Sequence, residues 1–255
     1  MAQQRLLVVG GGQGIGAAVT QNLVEKYGAK VVVLSLQVDP AIEQLGQLDK
    51  IRLIQGDATS STVLGETFDA VETYLGGLDA LVITMGVLGE IETVANLDMN
   101  KFRQAYEINL FTPIAITQKA LPYLQTSRGR AVILSSAADS TVTYSGWSPY
   151  CSSKAALSRF IYLLHHEEED IDVVGVYPGL TRTPMVTDLV TGKFAGKMKD
   201  SEVEAFKRMD RDGQVEPLEW SANVTAKLAV AAIETGPLSG QVNWYHEIDS
   251  HYQTA

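Results

Sequence analysis

The feature that most constrains this chain is a repeated pairing of a short Val/Ile/Leu run with a longer helix-like stretch. The runs are "RLLVVG" (5–10), "KVVVLS" (30–35), "IRLIQGD" (51–57), "LDALVIT" (78–84), "GRAVILSS" (129–136) and "DIDVVGVYPG" (170–179). Strands that are apolar at nearly every position have both faces covered, as in a parallel sheet crossed by helices. The stretches 14–28, 61–75, 98–125 and 149–168 read as those helices. A polar, glycine-bearing break over 180–214 follows, and then a helix near 217–235 and a last strand near 240–244. The alternation predicts an α/β fold: a doubly wound, mostly parallel sheet with helices on both faces.

The length of 255 residues suits one such domain, and no linker or internal repeat divides it. We read 1–255 as a single domain, with the irregular 183–213 segment as a candidate substrate lid. The net charge of −10 argues against nucleic acid as a partner. No run of about 18 apolar residues is present to cross a membrane. The single cysteine, Cys151, excludes an internal disulfide and fits a reducing compartment, and with no secretory pattern the expected location is cytoplasmic. The acidic run "HHEEED" (165–170) reads as a solvated helix end, so no metal site is expected.

"VVGGGQGIG" joins the first strand to the first helix. Ligands of an open α/β sheet bind outside the carboxyl ends of the strands, where a helix N-terminus offers free N–H groups to a pyrophosphate. Gly12-x-Gly14-x-x-Ala17 fits the alanine form of the dinucleotide fingerprint, and Gly10-xxx-Gly14-x-Gly16 fits a different spacing better. A tight turn alone could also account for these glycines. Ser35 stands where an acidic residue would hold a ribose 2′-hydroxyl, and Leu36 follows it; Gln13 is neutral, and Asp39 lies further into the loop. Nothing there repels a 2′-phosphate and no arginine binds one. Both cofactor forms stay open, with a tilt toward NADP(H) over NAD(H). Asp57, closing the third strand, either neighbours a helix cap or bonds an adenine amino group.

Tyr150 and Lys154 in "YCSSK" open a helical run four residues apart, so they share a helix face. A phenol titrates near 10, and a nearby ammonium favours its ionised form. Such a phenol can pass a proton to or from a carbonyl oxygen. The spacing alone also occurs in ordinary helices; its neighbours decide. Ser135 and Ser136 end the fifth strand, on the sheet edge that carries the glycine turn; they could bond a carbonyl or form a turn. Asn109 lies within a helix between apolar residues and must find partners there. Pro178 and Gly179 turn sharply after the sixth strand, and Thr183 then reaches a cofactor or caps a helix. Tyr144, Trp147 and Met185 flank these groups as pocket walls, with core packing as the alternative.

Taken together, Gly10-xxx-Gly14-Ile15-Gly16, Asp57, Asn109, Ser136, Tyr150-xxx-Lys154 and Pro178-Gly179 with Thr183 resemble the short-chain dehydrogenase/reductase family over essentially the whole chain. The resemblance implies a Rossmann fold, a nicotinamide cofactor and interconversion of a small carbonyl and an alcohol. It casts Tyr150 as acid/base, Lys154 as the group that lowers its pKa and binds ribose, Ser136 as the orienter of the carbonyl, and Asn109 as holder of a relay water. Gly10, Gly12, Gln13, Gly14, Ile15, Gly16, Ser35, Asp57, Gly86, Pro178, Gly179, Thr181 and Thr183 would line the cofactor. It also implies a homodimer or homotetramer through the helices near 98–125 and 149–168. "SSAADSTVTYSGWSPYCSSKAAL" and the 213–242 tail resemble a fungal sepiapterin-reductase-like or benzil-reductase-like branch that reduces diketones with NADPH. The chain departs from the family at Val9, where Thr is usual, at "ITMG" (83–86), where "NNAG" is usual, and in a Ser136–Tyr150 interval one residue longer. A non-catalytic dinucleotide sensor on the same fold is the alternative; a sugar-nucleotide epimerase would need a longer chain.

Overall fold

The computed structural model describes residues 3–252; residues 1–2 and 253–255 of the expected 1–255 domain lie outside the described residues. Seven strands form one sheet: β1 Arg5–Val9, β2 Lys30–Ser35, β3 Ile51–Gln55, β4 Ala80–Ile83, β5 Arg130–Leu134, β6 Asp172–Tyr177 and β7 Val242–Trp244. The helices are α1 Gly14–Glu25, α2 Pro40–Gln47, α3 Ser61–Ala70, α4 Met99–Tyr106, α5 Thr112–Ser127, α6 Ser148–Glu167, α7 Pro184–Val190, α8 Asp200–Arg211, α9 Leu218–Ala229 and α10 Tyr245–Ile248. All neighbouring strands pair in parallel, in the order β3-β2-β1-β4-β5-β6-β7. The doubly wound arrangement expected from the alternation, and with it the Rossmann fold that the resemblance implies, is therefore present.

The alternating side chains of each strand supply both faces of the sheet. Leu7, Val9, Val32, Leu34, Leu81 and Ile83 pack with Phe68 of α3, Ile116 and Leu124 of α5, and Leu157 and Ile161 of α6. Leu6, Val8, Val31, Val33 and Val82 pack on the other face with Val19 and Leu23 of α1 and Val224 and Leu228 of α9. The central strands β1, β2, β4, β5 and β6 are apolar at nearly every position because helices cover both of their faces, whereas β3 at one edge carries the exposed Arg52 and Gln55. The strand order reverses between β1 and β4, so connections leave in opposite directions and open a crevice at the carboxyl ends.

Three elements differ from the sequence reading. The 183–213 segment is not irregular: it folds into α7 and α8, whose buried faces come from Val186, Leu189 and Val190, and from Val203 and Phe206. The stretch after β2 forms α2, opened by Pro40 and held by Ile42 and Leu45 three residues apart. The long helix over 98–125 is interrupted by a π turn at Glu107–Phe111, and Asn109 lies inside it. At the departure "ITMG", the Thr84 hydroxyl donates to the Val9 carbonyl at 3.1 Å and its N–H to the same oxygen at 2.9 Å, so one residue braces β1 to β4.

Candidate active site

Because every strand runs the same way, the segments after their ends share one edge of the sheet: the glycine turn after β1, Ser35 at the end of β2, Asp57 after β3, Gly86 after β4, Ser135 and Ser136 after β5, and Pro178 and Gly179 after β6.

At the glycine turn, Gly10 has φ +83° and donates its N–H to Leu34 O at 2.8 Å. That backbone state suits glycine. Gly16 allows the turn to close, since a Cβ there would collide with the Gly10 carbonyl oxygen. Gly12 lies against Ser35 and the Gln37 carbonyl, Gly14 begins α1, and Ile15 packs toward the α1–α9 core. This glycine-rich cradle at a helix N-terminus fits the pyrophosphate of a nicotinamide dinucleotide. Beside it lies a cleft of about 290 Å³ lined by Gln13, Gly14, Asp39 and Arg182, among others. Asp39 is nearer than its place in the sequence suggested, since its N–H donates to Gly12 O at 2.7 Å. Arg182 on the same cleft is paired with Asp210 at 2.5 Å.

The Ser35 hydroxyl is engaged, donating to Gln37 O at 2.8 Å. Asp57 holds the turn before α3 by accepting from Thr59 N–H at 2.9 Å, and the cap of α3 is Ser60. Of the two readings of Asp57, the cap-neighbour one describes its contacts.

Tyr150 and Lys154 lie in the first two turns of α6 and are buried, 8% and 3% exposed. The Lys154 ammonium donates to Leu134 O, at the end of β5, at 3.0 Å. Burial pulls its pKa down to about 8, and the charge of Asp139 opposes the fall. Tyr150 differs from expectation. Burial pushes its phenol above the ordinary value, and the Ser136 side chain offsets part of that. The physical reason is desolvation of the phenolate, with the ammonium engaged by the β5 carbonyl.

Ser136 caps the short turn 137–139 by accepting from Ala138 N–H at 3.2 Å. Ser135 points elsewhere, 2.7 Å from Ser158 Oγ, which leaves Ser136 as the serine beside Tyr150. Asn109 is fully buried. Its oxygen accepts from Val87 N–H at 2.8 Å, and its amide donates to Val87 O at 2.9 Å and to Ser153 Oγ at 3.0 Å. Both amide hydrogens are thus spent on protein, and the side chain clamps the segment after β4 to α6. Gly86 lies between Lys154 and Asn109; a Cβ there would stand 3.4 Å from Lys154 Nζ and 3.5 Å from Asn109 Oδ1.

Beyond β6, the Thr181 hydroxyl is buried and donates to Pro178 O at 2.5 Å. Gly179 has φ +77° and packs against the Glu216 carboxyl. Thr183 caps α7 by accepting from Val186 N–H at 3.3 Å, while its methyl faces Gly14. Capping, one of its two expected roles, is thus present at a position beside the cradle.

Tyr144, Trp147 and Met185 gather in one apolar cluster around Tyr150. Trp147 meets Tyr150 edge-on with centroids 5.6 Å apart, and Tyr144 lies 4.8 Å from Trp147. Three residues of this region escaped the sequence reading. Phe206 of α8 stacks on Trp147 at 5.9 Å and touches Tyr144 at 4.7 Å; its signal was the Val203–Phe206–Met209 spacing of three. Glu202 takes the Ser145 N–H at 3.1 Å and its hydroxyl, tying α8 to the loop before α6. Asp139, alone in "AADS", carried no signal beyond that of a turn residue.

Comparison with known proteins agrees with this geometry. The model of the short chain dehydrogenase family matches residues 4–193. An uncharacterized oxidoreductase of Schizosaccharomyces pombe is 32% identical over 250 residues, covering 95% of this chain and 97% of the relative. A benzil reductase ((S)-benzoin forming) of Saccharomyces cerevisiae is 24% identical, over 95% of each chain. The crystal structure of a short chain dehydrogenase/reductase from Saccharomyces cerevisiae superposes with a TM-score of 0.90 at 28% identity, covering 97% of this chain and 98% of that one. With a family model over most of its length, an oxidoreductase relative end to end and the parallel sheet in common, the chain belongs to the short chain dehydrogenase family and is an oxidoreductase rather than a dinucleotide sensor.

Proposed function

We propose that the protein interconverts a small ketone or diketone and the corresponding alcohol with a nicotinamide dinucleotide, using Tyr150 as the acid/base. The observation that carries this reading is the convergence of Tyr150, Ser136 and Lys154 beside the glycine cradle, under an apolar aromatic wall.

A nicotinamide dinucleotide held at this edge would supply or accept the hydride. Ser136 donates a hydrogen bond to the substrate oxygen and holds it toward Tyr150. The phenol, kept protonated by burial, gives its proton to that oxygen in the reducing direction and takes one back in the oxidising direction. The buried Lys154 charge stabilises the phenolate left behind and offers donors to the ribose. Asn109 keeps the 84–88 segment and α6 in register, so Gly86 leaves the cofactor room against Lys154. Pro178, Gly179, Thr181 and Thr183 form the turn at the nicotinamide end, and Gly10, Gly12, Gln13, Gly14, Ile15, Gly16, Ser35 and Asp57 form the remaining cofactor surface.

Tyr144, Trp147, Met185 and Phe206 make the substrate wall, and α7 with α8 form the lid over it. Such a wall suits an aromatic or otherwise apolar carbonyl compound, and the benzil reductase relative points the same way. NADP(H) is the preferred form in this reading, supported by the lack of an acid at Ser35 and Leu36; Asp39 on the cleft opposes it. One domain over 1–255, a homodimer or homotetramer and a cytoplasmic location, in keeping with the lone Cys151, complete the proposal.

The test titrates the protein with NADPH and with NADH by fluorescence, then adds diketones, quinones and aldehydes. Oxidation of one cofactor is expected, reduced at least about 100-fold in Tyr150→Phe with cofactor affinity nearly unchanged. Undiminished turnover in that variant removes Tyr150 from the chemistry, and failure to bind either cofactor removes the whole reading.

A further inference from the structure

Asp139 lies three residues beyond Ser136, in the turn that leaves β5, and the mechanism above makes no use of it. Its carboxylate collects three hydroxyl donors. Ser158 Oγ and Tyr177 OH donate to Oδ2 at 2.5 and 2.6 Å, and Ser140 Oγ donates to Oδ1 at 2.7 Å. Ser158 Oγ also lies 2.7 Å from Ser135 Oγ. Ser158 sits on α6 one turn past Lys154, Tyr177 ends β6 directly before Pro178, and Ser135 precedes Ser136. One carboxylate therefore links the three segments that carry Ser136, the Tyr150–Lys154 pair and the Pro178–Gly179 turn.

We propose that Asp139 is a positioning residue: its carboxylate ties Ser158, one turn past Lys154 on α6, to Tyr177 and Ser140, and so aligns the three segments and sets the charge environment of Lys154. The inference rests on the roles given above to Lys154 and Tyr150.

The surroundings of Lys154 explain why a charge is needed. Burial drives its ammonium toward the neutral form. Around it, β5 contributes the neutral Leu134 carbonyl, the π turn the neutral Asn109 amide, and the segment after β4 the uncharged Gly86. On α6 itself, the Tyr150 phenol and the Cys151 thiol are both held toward their neutral forms by burial. From β6, burial and the bond to Asp139 hold the Tyr177 phenol far above its ordinary value, so it too is neutral. Asp139 is the carboxylate held against α6 through Ser158, one turn past Lys154, and its charge favours the ammonium. Hydroxyls alone could be held by a neutral amide oxygen; keeping Lys154 charged requires the carboxylate.

Two readouts test this on the full chain. The first is the ¹³Cε NMR titration of Lys154, assigned by its loss in Lys154→Arg, which needs neither cofactor nor turnover. The second is the pH profile of kcat/KM for reduction. Asp139→Asn is expected to lower the Lys154 midpoint by about one pH unit and to move the alkaline limb of kcat/KM with it, leaving activity at lower pH largely intact. Asp139→Glu restores the midpoint. The Ser158→Ala/Tyr177→Phe double variant, which keeps the carboxylate, lowers kcat without lowering the midpoint. An unchanged midpoint in Asp139→Asn overturns the proposal, as does a midpoint that falls in the double variant. The latter arm decides the question even if Asp139→Asn does not fold. If the midpoint moves and the kinetic limb does not, Asp139's hold on Lys154 stands, and the assignment of Lys154 to the reaction is what fails.

Discussion

A lysine that is 3% exposed should mark stability and, in the proposed chemistry, rate as well. The Lys154 pKa is about 8 folded against 10.5 for a free lysine, so between those values the unfolded chain binds more protons than the native one. Stability from this residue therefore rises as pH climbs from about 8 to 10.5, and is lost as pH falls back through 8. The activity has the opposite sign, because the proposed chemistry needs the ammonium. The Tyr150 phenol is raised and stays protonated well past pH 8, so the first alkaline loss of kcat/KM for reduction belongs to Lys154. Stopped-flow rates across pH 6 to 10 are expected to fall about tenfold per unit above roughly pH 8. Denaturant unfolding of Lys154→Met is expected to lack the stability gain that the parent shows from pH 8 to 10.5, a difference on the order of 3 kcal/mol. A parent protein whose stability does not rise over that window would refute the buried, charged Lys154 described here.

At the scale of elements, α8 of the proposed lid is held by few contacts. Burial of Val203 and Phe206 docks α8 onto Trp147, and the Glu202 bonds to Ser145 fix its first turn. Phe206 is 2% exposed, so Phe206→Ala is expected to cost about 3 kcal/mol if the cavity stays open. Because Phe206 touches Tyr144 and Trp147 but stands outside the proton path, the kinetic loss should fall on KM for apolar substrates, with kcat largely kept; Michaelis–Menten analysis of a fast and a slow substrate separates the two. A matching loss in kcat would instead place α8 in the alignment of Tyr150. The same helix marks the limit of what the sequence made legible. The strands and α1, α6 and α9 were readable because burial on a two-sided sheet imposes long apolar runs and clear periods. The site pairs Tyr150–Lys154 and Gly10–Gly16 were readable because the roles proposed for them fix a spacing along the chain. α8 was hidden because only a narrow stripe of it is buried and the rest is charged, so its polarity resembled that of a loop. Asp139 was hidden for a different reason: its partners Ser158 and Tyr177 lie 19 and 38 residues away, and only the fold brings their hydroxyls to it.

For the whole molecule, charge and apolar surface pull in opposite directions. A net charge of −10 opposes association, yet Met99, Phe111, Tyr162 and Leu163 are exposed, the first three by about half. α4 and the 107–111 turn both pack on α6, so these side chains belong to one group of helices rather than to scattered loops. Single exposed apolar residues are ordinary, but a group of large ones on packed helices is the kind of surface a partner covers. This supports the proposed dimer or tetramer through the helices over 98–125 and 149–168. The apolar contribution does not depend on screening, whereas the repulsion does; association should therefore tighten as salt rises. Light scattering at micromolar protein is expected to give twice or four times the chain mass, and Phe111→Glu/Tyr162→Glu is expected to give the chain mass alone. α6 carries Tyr150 and Lys154 near its start and Tyr162 beyond them, so losing the partner should lower Tm before it lowers kcat. A double variant that keeps the parent's assembled mass would move the interface to another face. A parent that scatters as a monomer at both low and high salt would leave those side chains without the partner proposed for them.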